Sequence, residues 1–196
     1  MKQIPNYLTI LRILIVPAII AAFYMQDVKL AGLVTAGLFL LAGITDFFDG
    51  AIARKLNAES DFGKMMDPIA DKLLVVSVLV ILFKAGRADL IPVMVILLRE
   101  LLVSGYREFL AASGGKMPVT KLAKWKTTIQ FLAILALLII PATKQEYAAD
   151  VFLTGQYMLW FAALLTFITG LQYTIHTIRF IRGTDDEPSV VVTKET

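Results

Sequence analysis

The chain has no cysteine among its 196 residues. That excludes a disulfide framework, a thiolate zinc site and a cysteine nucleophile, and leaves the compartment open. Charge is scarce as well. Asp, Glu, Lys and Arg make up 18% of the residues, against about 25% in a typical soluble domain. Histidine occurs once, at His176. There is no internal repeat. No cleavable leader is expected, because residues 1–5 are a short head, Arg12 interrupts the apolar run and no A-x-A-like cleavage site follows.

What is abundant is apolar side chain: 58% of residues without counting glycine, and a mean hydropathy of +0.74. A soluble core of this size cannot bury so much apolar surface, which points to lipid as the solvent. The length suits one domain. Six apolar runs are predicted to be helices, over residues 7–25, 30–54, 62–83, 90–110, 127–143 and 151–178. Each is near the ~20 residues that cross a hydrocarbon core. Turns are expected at Gln26-Asp27, at Ala85-Gly86-Arg87, from Gly114 to Pro118 and from Pro141 to Asp150. The expected fold is therefore all-α, an integral membrane protein of six transmembrane helices. Residues 1–182 form one catalytic domain in this reading, and residues 183–196 a polar tail.

The loops shared with the N-terminus carry twelve lysines and arginines, and the opposite loops four: Lys29, Lys84, Arg87 and Lys144. This asymmetry places both termini in the cytoplasm. It also accounts for the net charge of +3 and the isoelectric point near 9.1 without a nucleic-acid partner. His176 then falls near the cytoplasmic end of the sixth span, where it reads as interfacial. Trp125, Trp160 and the tyrosines read as interface anchors or packing.

Ionisable groups within spans are costly unless paired. Asp46 and Asp49 close the second run, and Asp67 and Asp71 open the third. Their i,i+3 and i,i+4 spacings put each pair on one helix face. An antiparallel hairpin would bring the two faces together at the cytoplasmic end. Four carboxylates that close repel one another unless cations neutralise them. Oxygen donors with no Cys or His nearby suit Mg²⁺ or Mn²⁺, and two ions bridged by carboxylates suit displacement at phosphorus. Around them Gly50, Ala53 and Gly63 fit either close helix packing or the approach of a flat ring or phosphate to the backbone. Arg54 fits either a phosphate clamp or an ordinary cationic helix end.

The pattern Asp46-x2-Asp49-Gly50-x2-Ala53-Arg54-x8-Gly63-x3-Asp67-x3-Asp71 resembles the full signature of the CDP-alcohol phosphatidyltransferase family. The resemblance implies a six-helix membrane enzyme, commonly a homodimer, that displaces CMP from a CDP-linked lipid with an alcohol, using two divalent cations. It implies Asp46, Asp49 and Asp67 as metal ligands. Asp71 becomes the base that deprotonates the acceptor and also a ligand of the second ion. Gly50, Ala53, Arg54 and Gly63 would line the CDP-lipid site.

Which alcohol is accepted rests on residues outside the signature. Arg99, Arg107, Lys116, Lys121, Lys124 and Lys126 accumulate around the loop between the fourth and fifth runs. A basic pocket beside a metal site suits an anionic acceptor. Positive-inside topology, anionic headgroups and ion pairs with Glu100 and Glu108 are the competing explanations. Pro5-Asn6-x2-Thr9-x2-Arg12, Leu98-Arg99-Glu100, Arg107-Glu108 and Lys124-x-Lys126-Thr127-x2-Gln130 resemble the bacterial branch of the family that couples CDP-diacylglycerol to sn-glycerol 3-phosphate. Ala123 stands where that branch has glycine. The resemblance implies Asn6 and Thr9 near the nucleotide, and Arg107, Lys121, Lys124 and Lys126 on the acceptor phosphate. The alternatives are another acceptor (inositol phosphate, serine or phosphatidylglycerol) and, in a different class, a divalent-cation transporter. A transporter calls for midplane ligands and repeat symmetry, and this sequence has neither.

Overall fold

Apolar runs this long close their backbone hydrogen bonds internally as helices, and the computed structural model, which describes residues 4–56, 61–115, 117 and 121–183, is built of them. Six α-helices follow in order: α1 (Ile4–Phe23), α2 (Val28–Leu56), α3 (Asp61–Lys84), α4 (Leu90–Ala112), α5 (Lys121–Ile139) and α6 (Gln145–Ile181). A short 3₁₀ turn, Ile140–Ala142, joins the last two. No strand occurs among the described residues.

Local chemistry sets the boundaries. Asp27 caps α2, its carboxylate accepting hydrogen bonds from the backbone N–H groups of Lys29 (2.9 Å) and Leu30 (3.1 Å). Gly86 turns the chain between α3 and α4 with φ +66°, a conformation that costs glycine little. Threonine hydroxyls inside the helices donate back to carbonyls one turn earlier, as Thr35 does to Ala31 (2.7 Å) and Thr166 to Ala162 (2.6 Å). These bonds satisfy groups that lipid cannot.

Two expected boundaries move. Lys121, Lys124 and Lys126 belong to the first turns of α5 and not to the preceding loop, since no breaker separates them from the apolar run. The stretch from Pro141 to Asp150 is not one long turn: α6 begins at Gln145, with Glu146 in its first turn, where the helix dipole favours an acid.

Among the described residues three helices contain stretches long and apolar enough to cross a membrane: Val28–Asp46, Trp125–Ala142 and Gln145–Ile181. In α1 the described apolar stretch is Thr9–Phe23, which contains Arg12. Asp71 and Lys72 in α3, and Arg99, Glu100, Arg107 and Glu108 in α4, interrupt the other two. Many large apolar side chains lie at the surface. Leu14, Leu33, Leu101, Leu102 and Phe167 face outward, a surface suited to lipid.

The helices α2 and α3 follow one another in the chain and share a neighbour. Among the described residues each packs extensively on α1, which lies between them, while α2 also meets α5, and α4 meets α6. The core runs through Ile15, Ile19, Phe39, Val78, Leu82, Ile134, Leu137 and Leu159. At Gly43 the missing side chain admits the Phe131 ring, which stacks on Phe39 with centroids 4.7 Å apart. That close approach joins α2 to α5. It leaves α3, α4, α5 and α6 around a polar opening.

Candidate active site

The site begins on α1. Arg12 is 1% exposed, a placement that costs several kcal/mol for an unpaired cation. Its guanidinium reaches Asp46 of α2 at 3.0 Å and Asp71 of α3 at 2.6 Å. Both carboxylates are about half exposed, at 53% and 49% of their side chains. Thr9 lies one turn earlier on the same face of α1 and is fully buried. One acid of each pair, Asp46 and Asp71, thus meets the same arginine on a third helix.

Asp71 also lines a cavity of about 530 Å³. Its walls bring together Lys72 of α3, Arg99, Glu100 and Arg107 of α4, Lys126 and Gln130 of α5, and Tyr173 of α6. Lys126, buried to 4%, donates to the Glu100 carboxylate at 2.6 Å, and Arg99 donates to the same oxygen at 3.0 Å. The Arg99 guanidinium also lies over the Tyr173 ring, 5.4 Å from its centroid. Gly170 permits this, because a side chain there would press on the Arg99 stem at 3.1 Å. Lys72 donates to the Ser104 hydroxyl, tying α3 to α4.

The wall holds four cations and two carboxylates, and its cations are not equivalent. Lys126 and Arg99 are committed to Glu100, so the ion-pair explanation applies to Arg99. Arg107 has no carboxylate within ion-pair distance among the described residues. The Gln130 side chain is 5% exposed, and its Oε1 accepts no hydrogen bond among the described residues. Chemically, the cavity suits a small anion bearing a hydroxyl, with one carboxylate positioned to take a proton.

Of the sequence-predicted residues, the structure therefore brings Asp46 to Asp71, and Asp71 to Arg107 and Lys126. Gly63 is buried near the start of α3. The backbones of Asn6, Asp49, Gly50, Ala53, Arg54, Asp67, Lys121 and Lys124 lie on helices, and their side chains fall outside the described ones. Sequence reasoning missed the bridging role of Arg12 and the contribution of Gln130 and Tyr173 to the wall that holds Arg99 and Glu100. The available signal was a cation within an apolar run, at Arg12, Lys72 and Arg99.

The profile of the CDP-alcohol phosphatidyltransferase family matches residues 2–168. The chain belongs to this family. The match includes α1 to α5, most of α6, and every residue of the signature. Among curated relatives, the CDP-diacylglycerol–glycerol-3-phosphate 3-phosphatidyltransferase of Rickettsia felis is 51% identical over 172 residues, covering 88% of this chain and 93% of its own length. The enzymes of the same name from Cereibacter sphaeroides and Bacillus subtilis are 39% and 36% identical. Those two alignments cover 92% and 88% of this chain, and 97% and 94% of the relatives.

CDP-alcohol phosphatidyltransferases generally use divalent cations. The described half of the acid quartet fits one: Asp46 and Asp71 are hard oxygen donors, half open to solvent, already gathered around one positive charge.

Proposed function

We propose that this membrane enzyme transfers the phosphatidyl group of CDP-diacylglycerol to sn-glycerol 3-phosphate, giving phosphatidylglycerophosphate and CMP. One observation carries the reading: Asp71 belongs at once to the acidic cluster of the signature and to the wall of a cavity with surplus positive charge. The names of the relatives support the same acceptor.

In this reading Asp46, Asp49, Asp67 and Asp71 hold two divalent cations, Mg²⁺ or Mn²⁺. When bound, such ions would supply charge neutralisation at the pyrophosphate and at the CMP leaving group. Asn6, Thr9, Gly50, Ala53, Arg54 and Gly63 receive the CDP moiety. Arg107 and Lys126 bind the acceptor phosphate, with Lys121 and Lys124 beside them on α5. Arg107 is the principal ligand, because it has no competing carboxylate among the described residues. The primary hydroxyl of the acceptor is then directed to Asp71, which takes its proton. The freed oxygen forms a bond to the lipid-bearing phosphorus as the bond from that phosphorus to the CMP oxygen breaks.

All six helices span the bilayer, both termini and the site face the cytoplasm, and two copies associate as a homodimer. Residues 1–182 form the catalytic domain and residues 183–196 a cytoplasmic tail. The test is CMP release by the purified protein given CDP-diacylglycerol, Mg²⁺ or Mn²⁺ and an acceptor panel: sn-glycerol 3-phosphate, inositol phosphate, serine and phosphatidylglycerol. Turnover with glycerol 3-phosphate and its loss on chelation are expected. Turnover only with another acceptor overturns the assignment.

A further inference from the structure

The acidic cluster already contains a cation. Arg12 is 1% exposed, and its guanidinium contacts one carboxylate on each acid-bearing helix, Asp46 at 3.0 Å and Asp71 at 2.6 Å. Both acid-bearing helices pack on α1, so the spacing between the two halves of the cluster is set through α1. An arginine in this place has two consequences. It offsets the mutual repulsion of the carboxylates when no other cation is present. It also puts a fixed positive charge beside oxygens that a metal ion needs, and that charge repels the ion.

We propose that Arg12 is a positioning residue that acts as a resident counter-cation. It holds the two acidic halves together in the metal-free protein, and divalent cations compete with it for Asp46 and Asp71. This rests on the metal reading given above. The competition has a definite sign: an arginine that only braced the fold would, when removed, loosen the site and weaken metal binding. A competing arginine, when removed, leaves a cluster that is less stable empty and binds metal more tightly.

Mn²⁺ binding to the full-length protein in detergent, followed by electron paramagnetic resonance, separates the two, together with melting temperatures in EDTA and in saturating Mn²⁺. For Arg12→Gln the expected results are a Kd for Mn²⁺ lower by about tenfold, a lower melting temperature in EDTA, and a wider gap between the two temperatures. An unchanged or higher Kd for Mn²⁺ overturns the inference. If Arg12→Gln cannot be isolated, Arg12→Lys replaces it. A single ammonium spans the two carboxylates less well than a planar guanidinium, so the same changes are expected at smaller size, and an unchanged or higher Kd again overturns the inference. Failure of the unaltered protein to take up Mn²⁺ strikes at the metal reading itself, whereas uptake without tightening in the variants strikes only at the role of Arg12.

Discussion

The two ends of the helix bundle both carry polar side chains and use them differently. At the far end, Lys84 donates to the Tyr24 hydroxyl at 2.6 Å and lies over the same ring. Asp89 accepts from Trp160 at 2.8 Å and from Gln156 at 3.2 Å. Each contact ties one helix end to one neighbour, at exposed positions. At the Arg12 end the groups are shared: one arginine between two acids, one glutamate between two cations, one carboxylate between a cluster and a cavity. Local pairing holds helices together. Sharing leaves charge over, and leftover charge can act on a ligand. It also carries risk, since removing one member strands the others in a low-dielectric setting.

This contrast is open to experiment. Asp71→Asn is expected to have the largest effect, lowering turnover by about 10²–10⁴-fold while CDP-lipid binding survives. Near-normal CMP release would remove Asp71 from the role of base. Arg107→Gln comes next, raising KM for glycerol 3-phosphate about ten- to hundredfold, as loss of a charged hydrogen bond does, with little change in melting temperature. Lys126→Met is expected to raise the same KM and also lower the melting temperature, because Glu100 loses its closest cation. Adding Glu100→Gln should restore the temperature but not the KM, and equal recovery of both would make Lys126 structural only. At the far end Trp160→Phe should shift melting by a small amount and leave KM for both substrates unchanged. Arg87→Gln should do least. Partial burial holds that guanidinium below its usual pKa, so its charge is disfavoured in place, and losing it leaves melting unchanged or slightly higher. A marked drop would show that Arg87 has a partner.

Much of the molecule was legible in the one-dimensional pattern, for identifiable reasons. Long apolar runs predicted the helices, and the expected turns at Gln26-Asp27 and Gly86 are where the chain caps or reverses. The i,i+3 and i,i+4 acids declared their own faces, because helical periodicity is local. The start of α5 and the short break before α6 were harder to see. There apolarity fades while helix formation continues, and a hydropathy boundary is not a hydrogen-bond boundary. The packing of α1 against both α2 and α3 was not legible for a related reason: adjacency in sequence does not say which third helix lies against a pair.

Composition, periodicity and motif spacing thus determined the solvent, the helices, the acid quartet and the family, since each depends on residue type and on distances along the chain. Only the tertiary structure decided that Arg12 joins the acids, that Glu100 claims Lys126 and Arg99, and that Arg107 is left with its charge unpaired among the described residues. Those outcomes depend on which helices meet and on the reach of long side chains across them, and an ion pair between residues 59 positions apart leaves no periodic trace in the sequence.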